Sequence, residues 1–192
     1  MITQREADAI ESLCRQYPDH RLTKYRDWRA CCSHAQHFIS VLDLRDREPL
    51  RVLDMGGGLG YFAAECRALG HDATVLDLFE ALPQATAEAL GVRYVPHMIM
   101  AGVPLPGKET YDLITAIRLN LTEPDRWTWD EYAKFATEIL GRLNSGGRWF
   151  MAPNRGDNVA FVLDVQRWNE ILEGRATAEN QTRFSVTITK GE

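Results

Sequence analysis

The sequence predicts an α/β chain: a doubly wound, mostly parallel sheet of six to seven strands with helices on both faces, preceded by a helical cap. Three observations carry that expectation. From residue 50 onward, apolar strand-like runs alternate with helix-like stretches; four glycines crowd into the five positions 56 to 60; and ahead of them apolar residues recur at three- and four-residue steps from 25 to 42. Strands alternating with helices imply crossover units, and crossover units imply parallel strands covered on both faces.

Each element has a local reason. Tyr25, Trp28, Cys32, Ala35, Phe38, Ile39 and Leu42 share one helical face, which makes the cap an amphipathic helix docking on the sheet. "LRVLDM" (50–55) is a short apolar run before the glycines and reads as the first strand. "FAAECRAL" (62–69) is helical in composition and Gly70 ends it. "DATVLDL" (72–78) is the second strand, "EALPQATAEAL" (80–90) a helix despite Pro83, and "VRYVPHMI" (92–99) a weaker strand whose Pro96 puts it at an edge. "YDLITAI" (111–117) follows a turn-rich stretch, and "WDEYAKFATEILGRL" (129–143) repeats apolar residues at helical spacing until "NSGG" breaks it. "RWFMA" (148–152), "VAFVLDVQRWNEIL" (159–172) and "RFSVTITK" (183–190) read as strand, helix and last strand. Residues 1–192 form one domain in this reading, with a cap over 1–48 and a core over 49–192.

Composition narrows the partners. Lys plus Arg total 22 against 27 Asp plus Glu, a net charge of -5, so no field gathers nucleic acid or an anionic membrane. Cys14, Cys31, Cys32 and Cys66 include no C-x-x-C pair and read as reduced core thiols. The first residues lack the apolar run of a signal peptide, and no long uncharged apolar stretch spans a membrane. A cytoplasmic location is expected.

The glycine turn is the chemical signal. In a doubly wound sheet, ligands sit beyond the carboxyl ends of the strands, and the first strand-to-helix turn is where backbone approaches them most closely. Gly56, Gly57, Gly58 and Gly60 remove side chains there, while the helix starting near Tyr61 turns unpaired N–H groups toward the ligand. Two ligand classes fit, dinucleotides and S-adenosylmethionine. The dinucleotide pattern G-x-G-x-x-G fails from Gly56, because Tyr61 stands where a small residue belongs, yet Gly58, Gly60 and Ala63 satisfy it. Asp54, two residues before the first glycine, is unfavourable beside a pyrophosphate but can accept hydrogen bonds from the ammonium of a bound amino acid.

"VLDMGGGLG" resembles the first motif of class I S-adenosylmethionine-dependent methyltransferases, D-x-G-x-G-x-G, at Asp54, Gly56, Gly58 and Gly60. The resemblance implies a Rossmann-like core with S-adenosyl-L-methionine as cofactor, and places Asp77, at the end of the second strand, on both ribose hydroxyls. "YDLITA" (111–116) and "LGRLNSGGRWFMA" (140–152) resemble the family's fourth strand and its following helix, turn and fifth strand, so the likeness covers about residues 50–152. Two departures stand out. "YVPHMIMAG" (94–102) lacks the acidic residue the family often places near the adenine amino group, leaving backbone or packing by Met98 and Ile99, with Leu78 or Phe79 covering the other side. The tail shows one strand where the family has two.

Methyl transfer needs a nucleophile held in line about 3 to 3.5 Å from the methyl carbon in a dry site, and acid–base machinery is optional. Polar groups at the ends of the fourth and fifth strands, Arg118, Asn120, Asn154 and Arg155, and Tyr25, Trp28, His34 and His37 from the cap are the acceptor-side candidates. Arg118, Asn120 and Asn154 are the catalytic candidates, and with Tyr25 and Trp28 they make the candidate acceptor pocket. Each has a plainer role: Phe79 as core, Tyr25 and Trp28 as docking residues, His34 and His37 on a solvated face without a third metal ligand, so no metal is expected. "RLTKYRDWR" (21–29) sets four basic residues among two aromatics, which suits an anion or a solvated face. The residues thus point to a methyltransferase acting on a small molecule, with a nicotinamide- or flavin-dependent oxidoreductase (NAD(P) or FAD) and a catalytically inactive S-adenosylmethionine-binding protein as alternatives.

Overall fold

The computed structural model describes residues 2–100, 102–119, 127–153 and 163–191. Among these lie seven strands: β1 Arg51–Met55, β2 Asp72–Asp77, β3 Arg93–Pro96, β4 Tyr111–Ile117, β5 Leu143–Ala152, β6 Ala176–Thr182 and β7 Ser185–Lys190. They form one mixed, mostly parallel sheet in the order β3-β2-β1-β4-β5-β7-β6. Six α-helices are described: α1 Gln4–Gln16, α2 Trp28–Val41, α3 Tyr61–Ala68, α4 Ala81–Ala89, α5 Trp129–Arg142 and α6 Val165–Leu172, with a 3-10 turn at Arg21–Tyr25. The chain divides into two compact units, 2–98 and 99–191.

In the first unit β1, β2 and β3 are parallel, with Asp54 beside Val75 and Asp77 beside Pro96. Val52, Met55 and Val75 are fully buried, as expected of strands covered on both faces. The edge position expected from Pro96 holds, since β3 ends the order. The cap is more than one helix: α1 opens on a capping box between Thr3 and Glu6, and α2 starts at Trp28, so Tyr25 closes the 3-10 turn rather than lying on the helix. A buried histidine ties the entry to β1 in place. His71 Nδ1 accepts the Leu50 N–H at 3.1 Å, and its Nε2 lies 2.9 Å from the Leu44 carbonyl. Cys14 and Cys66 are buried, but Cys31 and Cys32 are only half-buried.

In the second unit β4 and β5 are parallel, and β7 pairs antiparallel with both β5 and β6. "NSGG" does not separate helix from strand as expected. β5 begins at Leu143, and the glycine pair makes an irregularity between the pairs Tyr111–Leu143 and Leu113–Arg148, with Gly146 at φ 69°. The seventh strand, β6, has the sequence ATAENQT, with Ala176 and Ala178 its only buried residues. A polar edge strand of this kind leaves little hydrophobic alternation to read. The Asn169 amide takes both backbone groups of Ala178, accepting its N–H at 2.8 Å and donating to its carbonyl at 3.1 Å. Of the helix expected over 159–172, the described part is α6.

Candidate functional site

The turn between β1 and α3 takes the backbone shape its glycines allow. Gly56, Gly58 and Gly60 have φ of 70°, 57° and 80°, where a side chain is strained. Gly57 is required for a different reason: a Cβ there would lie 2.6 Å from Asp54 Oδ2 and 3.1 Å from Val75 Cγ1. The Asp54 carboxylate, 2% exposed, therefore lies directly against the turn. Gly60 starts α3 without a capping side chain, so the helix N–H groups are not closed off by one. Tyr61, the residue that spoiled one dinucleotide alignment, is buried and donates its hydroxyl to the Tyr25 carbonyl at 3.1 Å. Burial pushes this phenol far above its ordinary range, so it remains a donor joining turn and cap.

Asp77 ends β2 and is 7% exposed. Its Oδ2 accepts the Gly58 N–H and its Oδ1 the Leu78 N–H, both at 2.7 Å. A carboxylate offers about four lone-pair sites, so these two bonds leave room for two more donors. Among the described residues the nearest cation is Arg21, with Nη2 3.9 Å from Asp77 Oδ1; its guanidinium also holds Glu80 through two bonds of 2.8 and 3.3 Å. His20 Nε2 lies 3.3 Å from the same Glu80. Tyr94 donates its hydroxyl to the Leu78 carbonyl; burial, reinforced by the Asp77 and Glu80 charges, pushes the phenol up to about 12. Arg21, Glu80 and Tyr94 escaped the reading of the sequence, although the basic run 21–29 held one of them.

Two residues beyond the Asp77–Pro96 pair that ends the adjacent strands lie Phe79 and Met98, which are 81% and 58% exposed. The plain expectation for Phe79, a core residue, is therefore wrong: it is the most exposed large apolar side chain described. Leu78 and Ile99 are half-buried. His97 donates its backbone N–H to the Asp77 carbonyl at 2.8 Å, while its Nε2 is buried without a hydrogen-bond partner. Burial holds this imidazole below its ordinary value and hence neutral near pH 7.

Of the acceptor-side candidates, Arg118, Tyr25, Trp28, His34 and His37 are among the described residues. Arg118 follows β4 at φ 55°, donates its backbone N–H to the Ala152 carbonyl at 2.7 Å and exposes its side chain. Asn120, Asn154 and Arg155 lie outside the described residues. Tyr25 and Trp28 are half-buried in the first unit. His34 packs edge-on against Phe38 with ring centres 4.8 Å apart, and His37 is exposed. Among the described residues no three His, Cys, Asp or Glu side chains converge as metal ligands.

A seven-stranded sheet in this order, with a glycine turn after its first strand, is the class I methyltransferase fold. Residues 18–149 match the family described as "Methyltransferase domain", and the chain belongs to that family. It is an S-adenosylmethionine-dependent methyltransferase. No protein with a curated description matches the sequence. Among solved structures, a TehB-like SAM-dependent methyltransferase from Corynebacterium glutamicum aligns with TM-score 0.65 at 18% identity, covering 91% of this chain and 99% of that one. The 1,6-didemethyltoxoflavin-N1-methyltransferase of Burkholderia thailandensis, solved with its substrate and S-adenosylhomocysteine, gives 0.57 at 18% identity over 100% and 92%. CalS10, an amino pentose methyltransferase from Micromonospora echinaspora solved with SAM, gives 0.58 at 14% over 88% and 95%. At such identities the likeness is one of fold. No helix among the described residues is long and apolar enough to cross a membrane.

Proposed function

We propose that this methyltransferase acts on a small-molecule acceptor in the cytoplasm, as a single domain over 1–192, and that its cofactor lies along the ends of β1, β2 and β3. The observation that carries the cofactor assignment is Asp77. It is a buried carboxylate with spare acceptor capacity, fixed by the N–H groups of Gly58 and Leu78. Its remaining lone pairs suit a ribose cis-diol. Gly56, Gly57, Gly58 and Gly60 leave room for the amino-acid portion, and Asp54 would take its ammonium directly or through water while supporting the turn. Phe79 and Met98 would cover the adenine, with Leu78 and Ile99 beside it; their exposure has no use in packing the fold.

S-adenosyl-L-methionine supplies an electrophilic methyl group on a sulfonium. The chain's own residues are left to position the acceptor and keep water out. Arg118, Asn120 and Asn154, with Tyr25 and Trp28, are the proposed acceptor-side residues. The small-molecule reading is supported by the net charge of -5 and by the substrates of the toxoflavin and amino pentose enzymes. The absence of a disulfide among the four cysteines agrees with a reducing compartment.

Calorimetric titration with S-adenosylhomocysteine, NAD and FAD tests the cofactor assignment. Micromolar binding of S-adenosylhomocysteine alone is expected, and binding of NAD instead would overturn it. Asp77→Ala should weaken S-adenosylhomocysteine binding by about 2–3 kcal/mol, on the order of a hundredfold, because two ribose donors lose their acceptor. Transfer of labelled methyl to a panel of small amines, phenols and carboxylic acids tests the acceptor class. Transfer only to protein or nucleic acid would refute it.

A further inference from the structure

The basic run 21–29 divides its charges in the structure, and the division marks a second site. Arg21 is engaged by Glu80 and Asp77, and Lys24 lies over the Tyr25 ring. Arg26 and Arg29 instead line a cleft of about 590 Å³ formed by the end of α1 and the start of α2. That volume falls in the range of small-ligand pockets. Trp28 lines the same cleft, and the Arg29 guanidinium lies over its ring, 4.5 Å from the centroid. A guanidinium beside an indole keeps five N–H donors, and their fork matches a planar carboxylate or a phosphate.

Charge bookkeeping in the cleft points the same way. Three guanidiniums, of Arg15, Arg26 and Arg29, stand against the two carboxylates of Glu11 and Asp27, in a chain whose total is -5. Both carboxylates are already engaged: Glu11 pairs with Arg15 at 3.5 Å, and Asp27 accepts the Ala30 N–H at 3.2 Å as the cap of α2. Among the described residues, Arg26 and Arg29 make no ion pair, so two cations face a concave site beside an aromatic wall.

We propose that this cleft binds a small planar anion, an aromatic carboxylate or phosphate, through Arg26 and Arg29 with Trp28 against its ring. The site is independent of the cofactor assignment. The acceptor and a non-reacting effector share this chemistry, and the test separates them.

The full-length protein is titrated calorimetrically with 1-naphthoate and phenyl phosphate, with neutral 1-naphthalenemethanol as comparator. Saturable binding of the anions is expected, at least about tenfold tighter than the alcohol, and Arg26→Ala or Arg29→Ala should each weaken it about tenfold. Absence of saturable binding at millimolar ligand, equal binding of the alcohol, or indifference to both substitutions would overturn the proposal. Arg26 and Arg29 are exposed, so both variants should fold, and a circular dichroism melt checks it. Asp77→Ala should lower S-adenosylhomocysteine binding while leaving naphthoate binding intact, so failure at one site is distinguishable from failure at the other. Methyl transfer to the bound anion marks it as acceptor, and binding without transfer marks an effector; either outcome supports the site.

Discussion

Large aromatic side chains serve opposite ends in two regions of this molecule. In the second unit, Tyr132, Trp149 and Trp168 are wholly buried, and Trp149 and Trp168 meet edge-on with ring centres 5.5 Å apart. In the first unit, Phe79 stands 81% exposed at the end of β2, beside a fixed carboxylate. The same chemical type thus holds a fold together in one place and faces solvent at a strand end in the other. Burial of an aromatic needs no ligand to explain it, whereas the exposed Phe79, two residues past Asp77, stands where the proposed adenine contact would fall.

The sharpest test of the difference is Trp168→Ala. Removing a fully buried indole should lower unfolding free energy by about 3–5 kcal/mol, read from the denaturant midpoint. A loss near zero would mean that the aromatic cluster is not a core. At the turn, Gly57→Ala should cost about 2 kcal/mol, because the added methyl meets the buried Asp54 carboxylate and Val75. It should also weaken S-adenosylhomocysteine binding, which a purely structural turn would not require.

Phe79→Ala gives the converse of Trp168→Ala. Stability should stay within about 0.5 kcal/mol, as for other exposed positions, while affinity for S-adenosylhomocysteine falls by about 1 kcal/mol, roughly fivefold. Unchanged affinity would erase the contrast between the two regions. The smallest effect lies away from both aromatic sites, on α1. Burial raises the Glu6 carboxyl, but the bonds from Thr3 and the Arg67 charge outweigh it, leaving it below its ordinary 4.5. A carboxyl lowered by folding adds stability that is present above its unfolded value and disappears as pH falls through its folded one. Glu6→Gln should therefore cost about 1 kcal/mol or less at pH 7, with the two proteins converging in thermal melts as pH falls below the ordinary glutamate range.

The parts legible in the sequence were those set by neighbours along the chain. Positive φ at Gly56, Gly58 and Gly60 is a demand that glycine meets at no steric cost, so their spacing announced the turn. The buried runs of β1, β2 and β4 announced parallel strands, and Pro96 an edge. β6 escaped because an edge strand with two buried residues has almost no periodic signal. The capping boxes Thr3-x-x-Glu6 and Thr128-x-x-Glu131 were available as signals for the starts of α1 and α5.

By itself, then, the sequence determined where the chain turns on glycine and which acids stand at or next to the ends of the first two strands, because those are properties of residue type at short range. Only the tertiary structure decided that Arg21 reaches Glu80, 59 positions away, that Phe79 faces solvent, and that Arg26 and Arg29 share a cleft with Trp28. Those outcomes depend on which surfaces meet after the chain has folded. Long-range packing sets them, and it leaves no local pattern to read.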